Sequence, residues 1–128
     1  MEKHRRDLRT LLEDLRRDGA SVIGYGASTK GNVLLQYCGI DRTMLPNIAE
    51  VNPDTFGSFT PGTGIPIISE QEARETRPDY FLVLPWHFRE GIVQKEGAYL
   101  ESGGQLIFPL PRLEIVRAKE ARTQLAAR

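Results

Sequence analysis

The sequence predicts an α/β chain built on a doubly wound, mostly parallel sheet of about five strands with helices on both faces. Three observations carry that expectation. A β-branched run, Val22 and Ile23, stops at Gly24-Tyr25-Gly26 and then turns into the helical pattern of Val33, Leu34 and Leu35. Tyr80 to Leu84 is an unbroken apolar run, the composition of a strand buried on both faces of a parallel sheet. Extended runs and helical patterns alternate along the chain, the rhythm of consecutive βαβ units in a Rossmann-like fold.

In chain order, Leu8, Leu11, Leu12 and Leu15 recur at helical spacing among charged residues, so residues 3 to about 18 read as an amphipathic helix closed by Gly19. Residues 20–24 form the first strand and 30–38 the next helix, stopped by Gly39. Asn47 to Val51 gives a second strand ending at the breaker Asn52-Pro53. Gly57 to Pro66 is too rich in glycine and proline for regular structure, and Thr60 to Gly64 reads as a rigid turn. Ile65 to Ile68 is a short apolar run. Ser69 followed by Glu72 has the capping-box spacing for a helix over 70–76. After the strand at Tyr80 to Leu84, residues 88–101 read as a helix, Gly103-Gly104 as its stop and Gln105 to Phe108 as a strand. Glu114 to Val116 reads as an extra strand, followed by a charged, Ala-rich tail that is either helical or frayed.

With 128 residues the chain has the size of one ordinary domain. Seventeen basic residues balance seventeen acidic ones, so no global field draws it to nucleic acid or to an anionic membrane. No apolar run approaches the roughly 18 residues of a membrane span, and a cytoplasmic location is expected. The single cysteine, Cys38, excludes an internal disulfide and a multi-cysteine metal site, and its apolar helical setting reads as a small buried hydrophobe. No metal site is expected.

The turn from Gly24 to Asn32 is the strongest chemical signal. Glycines let the backbone take positive φ, and a helix start aims N–H groups at its guest, which favours a phosphate or pyrophosphate. The spacing departs from the dinucleotide fingerprint, because Thr29 stands at the third glycine's place and the next glycine is Gly31. Lys30 precedes its glycine, which excludes a P-loop. Gly24, Tyr25, Gly26, Ala27, Ser28, Lys30, Gly31 and Asn32 are therefore candidate substrate contacts. Lys30 is either a point charge on phosphate or a solvated lysine. Tyr25 either presents its hydroxyl to a ligand or packs on the next helix. Glu50 falls where a ribose-binding carboxylate is sought in a βαβ unit, and reads equally as a solvated loop-edge glutamate. Trp86 and His87 follow a strand's carboxyl end, where open α/β sheets bind ligands. Trp86 stacks on a base or sugar, or fills space between sheet and helix; His87 reads as a hydrogen-bond donor or pocket wall rather than a proton carrier.

The ordered set Gly24-Tyr25-Gly26-Ala27-Ser28-Thr29-Lys30-Gly31-Asn32, Tyr37-Cys38-Gly39, Pro61-Gly62-Thr63, Arg77-Pro78-Asp79-Tyr80, Leu84-Pro85-Trp86, Gly103-Gly104 and Pro109-Leu110-Pro111 resembles the C-terminal domain of S-adenosylmethionine-dependent sugar C-methyltransferases. The resemblance implies a Rossmann-like domain over 20–111, preceded by the helix of 1–19 and followed by an extra strand and tail over 112–128. It implies a nucleotide-linked deoxysugar as substrate, and S-adenosylmethionine as cofactor of the complete enzyme, bound by a partner methyltransferase domain in the same or a separate chain. No cofactor is assigned to this chain and its catalytic residues are unknown, since the family's base lies outside this domain. The turn Gly24 to Asn32, the loop Pro61, Gly62 and Thr63, and Trp86 carry over as candidate contacts. Where relatives often carry lysine and histidine, this chain has Thr55 and Gly64. Two other readings stand beside it: a dinucleotide (NAD-type) binding module, and a non-catalytic interaction domain.

Overall fold

The structure, a computed structural model, describes residues 2–110 and 112–126. Pro111, the last residue of the expected domain, and residues 127–128 of the expected tail lie outside the described residues. The elements follow in the order α1 (Glu2–Arg17), β1 (Val22–Tyr25), α2 (Thr29–Cys38), β2 (Ile48–Glu50), β3 (Ile67–Ser69), α3 (Glu70–Glu75), β4 (Tyr80–Val83), α4 (Arg89–Lys95), α5 (Gly97–Glu101), β5 (Gln105–Phe108), β6 (Glu114–Val116) and α6 (Ala118–Ala126). Two short 3-10 turns cover Pro53–Thr55 and Trp86–Phe88. None of these helices is long and apolar enough to cross a membrane.

The six strands form one sheet in the order β3-β2-β1-β4-β5-β6. The first five run parallel and β6 is antiparallel to β5. Strand order reverses between β1 and β4, the switch point at which α/β sheets open a crevice at their carboxyl edge. The doubly wound architecture is as the sequence implies. About five strands become six, because Glu114 to Val116 joins the same sheet.

Alternation along the strands divides the core in two. Val22, Ile48, Leu82 and Ile107 face α1 and α2, where they meet Leu8, Leu12, Leu34, Leu35 and Cys38. Their neighbours Ile23, Ala49, Phe81, Val83 and Leu106 face the opposite way, onto Ala73, Ile92, Val93, Leu100 and Ala121 of α3 to α6. This period of two is the geometry of a pleated strand with both sides covered. The leucine stripe of α1 thus packs on this domain, and Cys38 is fully buried.

Three elements depart from the sequence reading. The expected helix over 88–101 is two helices, α4 and α5, separated at Glu96, whose φ of −93° and ψ of 20° leave the helical range. Gly97 weakens helix continuity there, and the break lets Glu96 turn inward to a cation. The first strand is displaced toward Tyr25, and the third begins at Ile67 because Ile65, though fully buried, belongs to the preceding loop. The tail after β6, read as helical or frayed, is helical as α6 and packs Ala121 into the core, which is no departure. Ser69 caps α3 as its spacing implies, its Oγ accepting from the Glu72 amide at 3.0 Å.

Candidate functional site

At the end of β1 the chain turns through Gly26, whose φ is +81°. Ser28 then caps α2 with extended backbone angles, its Oγ accepting from the Gly31 amide at 3.0 Å. Gly31 does the packing that a fingerprint's third glycine would do, since a Cβ at that position would collide with Leu84. At Gly26 an added Cβ would lie 3.0 Å from Pro85 Cδ. The Leu84 amide donates to the Tyr25 carbonyl at 3.1 Å, so the β4 end carrying Trp86 and His87 sits directly beside the elbow.

Most amides of the elbow are already bonded. Gly26 N–H donates to the Ala49 carbonyl at 2.9 Å, Ser28 N–H to the Gly26 carbonyl at 3.0 Å, and Asn32 N–H to the Ser28 carbonyl at 3.0 Å. The Ala27 amide donates to Glu50 Oε1 at 3.1 Å. Glu50 Oε2 accepts from Val51 N–H at 2.6 Å and from Asn52 N–H at 3.3 Å. Both oxygens of the carboxylate that sequence reasoning aimed at a ribose are thus held by the protein's own backbone. Thr29 and Lys30 remain as exposed first-turn residues of α2, whose N–H groups an α-helix cannot satisfy internally.

Tyr25 points to the other face. Its hydroxyl donates to Glu96 Oε2 at 2.8 Å. Arg74 Nη2 reaches both Glu96 oxygens at 2.8 and 2.9 Å and Glu70 Oε1 at 2.6 Å. The Glu96 side chain is 1% exposed. Burial, reinforced by the hydrogen bond to Glu96 and its charge, pushes the Tyr25 hydroxyl well above the usual phenol range. Such a hydroxyl is a fixed donor rather than a base.

The loop expected to offer Pro61, Gly62 and Thr63 to a ligand lies against the flank of α2. Asn32 Nδ2 and Gln36 Nε2 both donate to the Pro61 carbonyl, at 2.9 and 2.8 Å. Thr63 Oγ1 donates to Asn32 Oδ1 at 2.9 Å and is bonded to Thr60 Oγ1, which accepts from the Ile65 amide at 3.0 Å. Gln36 escaped sequence reasoning although it stands one helical turn beyond Asn32. That spacing was the available signal.

On the β4 side Trp86 is half-buried and touches both halves of the core. His87 is exposed, its ring centroid 6.0 Å from that of Trp86 and 4.3 Å from that of Phe88. Phe88 is 63% exposed, and with His87 it lines an open groove of about 450 Å³. The structure therefore brings Gly26 to Lys30, Glu50, Trp86 and His87 to one edge, with the Pro61 to Thr63 loop against α2 at Asn32 and Gln36. Gly24, expected as a contact, is instead buried within β1 against Ile48, and Tyr25 turns to the other face. A small cleft of about 110 Å³ between Tyr25, Gly26, Glu50, Glu70 and Lys95 opens beside the elbow. Among the described residues no group of three or more His, Cys, Asp or Glu is placed to hold a metal ion.

Sequence comparison meets this geometry. The family model for the C-methyltransferase C-terminal domain matches residues 1–111. The C-methyltransferase NovU of Streptomyces niveus is 36% identical over 118 residues, covering 92% of this chain and 28% of the relative. The chain thus spans little more than a quarter of the length of the curated relative it matches. By the match over residues 1–111, the chain belongs to the C-methyltransferase C-terminal domain family.

Proposed function

We propose that this chain is the substrate-binding and structural domain of an S-adenosylmethionine-dependent C-methyltransferase for nucleotide-linked deoxysugars, with the methyl-donor site in a partner domain. The observation that carries this reading is the meeting, at the switch point, of the Ser28 to Lys30 helix start with the aromatic turn Trp86-His87. A sugar nucleotide offers an aromatic base and anionic oxygens, which an indole face and a lysine beside a helix start complement. Methyl transfer to carbon also needs a base at the reacting carbon and a sulfonium in line with it. The residues of this edge do not fit the methyl donor or a dinucleotide, because the carboxylate that would bond a nucleoside ribose, Glu50, has both oxygens engaged. In this reading Lys30 and Trp86 contact the nucleotide, His87 supplies a hydrogen bond, and Glu50, Asn32 and Pro61 to Thr63 hold the edge in shape.

Trp86 is the chain's one tryptophan, so its fluorescence reports on the site. Titration with thymidine diphosphate is expected to give a saturable change in the millimolar range or below, and Lys30→Ala to weaken it roughly tenfold, the worth of one charge-assisted bond. No response at millimolar nucleotide, with or without the remainder of the enzyme, would replace this reading with the interaction-domain one.

A further inference from the structure

We infer that Glu50 is a built-in anion that closes the glycine elbow to phosphate, making it the residue that decides against dinucleotides at this edge. In a dinucleotide-binding unit the elbow amides hold the pyrophosphate, and the acidic residue at the end of the second strand holds the ribose. Here one carboxylate takes both places. Its Oε1 accepts the 3.1 Å bond from Ala27 N–H, and its Oε2 is tied to Val51 and Asn52.

Sterics point the same way. Pro85 lies against the other side of the elbow, 3.0 Å from where a Gly26 Cβ would be. The cleft that remains is about 110 Å³, against the roughly 300–1,000 Å³ of pockets that enclose a drug-sized ligand. A phosphate brought to the Ala27 amide would have to displace Glu50 and would meet its negative charge at short range. The glycine turn thus keeps the backbone shape of a nucleotide site while its anion is supplied from within. The inference shares the engaged Glu50 oxygens with the sugar-nucleotide reading but concerns a different place, since that reading puts its ligand at Lys30 and Trp86.

The test is calorimetric titration of inorganic pyrophosphate and of NADH into the wild-type chain, Glu50→Ala and Glu50→Gln, with amide NMR shifts of Ala27 as locator. The wild-type chain is expected to leave the Ala27 amide unmoved by either probe. Glu50→Ala, which frees that amide, is expected to gain pyrophosphate affinity at least about tenfold, with Ala27 shifting on binding. Glu50→Gln keeps the shape and an accepting oxygen without the charge, covers the case in which the alanine variant does not fold, and is expected to gain less. Pyrophosphate or NADH shifting Ala27 in the wild-type chain overturns the inference, as does a folded variant pair that gains nothing. Loss of the Trp86 response to thymidine diphosphate, with the Glu50→Ala gain intact, would sink only the sugar-nucleotide reading.

Discussion

On the α1 and α2 side, the sheet meets a dry layer of Leu8, Leu12, Leu34, Leu35, Ile48 and Leu82, all buried. On the α3 to α6 side the sheet meets rings and charges: Tyr25 meets Phe81 edge-on at a centroid distance of 5.5 Å, Tyr99 meets it tilted at 4.8 Å, and Arg74 lies 5.7 Å over the Phe81 ring while bonded to Glu96, which also accepts from Tyr25. The first side is held by area removed from water, where a truncated side chain loses its own contacts and strands no partner. The second is held by matched partners, where loss of one strands another. The same sheet therefore carries one face of separable contacts and one of coupled partners, and the coupled one lies beneath Tyr25, immediately before the elbow.

The largest effect is expected where that match is broken. Arg74→Met leaves the buried Glu96 carboxylate without its cation and is expected to cost about 3–5 kcal/mol in urea unfolding. Pairing it with Glu96→Leu should recover much of the loss, and no recovery would show that the pair does more than neutralise itself. Leu12→Ala, on the opposite face, removes a side chain 1% exposed and is expected to cost about 2–4 kcal/mol, within the usual range for a buried leucine. No partner substitution should rescue it. The smallest effect separates the faces by pH. Burial pushes the Tyr99 hydroxyl up from 10.0 to about 12, and Tyr25 is raised in the same direction. The unfolded chain releases those protons first, so the stability they contribute is complete below pH 10 and lost as pH rises toward 12. Thermal unfolding across that window should flatten in Tyr99→Phe and stay unchanged in slope in Leu12→Ala.

What was legible in the sequence is what neighbours in the chain decide. Gly26 with its positive φ, the Ser69 cap, the buried run at β4 and the helix stop at Gly39 all rest on local geometry, and each could be read from a few adjacent residues. The inward turn of Glu96 could not, because its partner is a cation on α3, 22 positions away. Glu50 shows the limit most clearly. Its place at the end of β2 was readable, but the direction of its carboxylate depends on the Ala27 amide, 23 positions earlier. Asn32 and Thr63 were each singled out, whereas their bond to one another needed the fold to bring a loop onto α2.

The segment from Gly57 to Phe59 has a consequence for the domain at high concentration. It lies along β3, with Gly57 N–H donating to the Ile67 carbonyl at 3.0 Å, Ile67 N–H to the Ser58 carbonyl at 2.9 Å, and Phe59 bridged to Pro66. At the other margin β6 is only three residues long. Among the described residues, a sheet finished in this way offers only short rows of open backbone groups to a second molecule, which disfavours edge-to-edge pairing at both flanks.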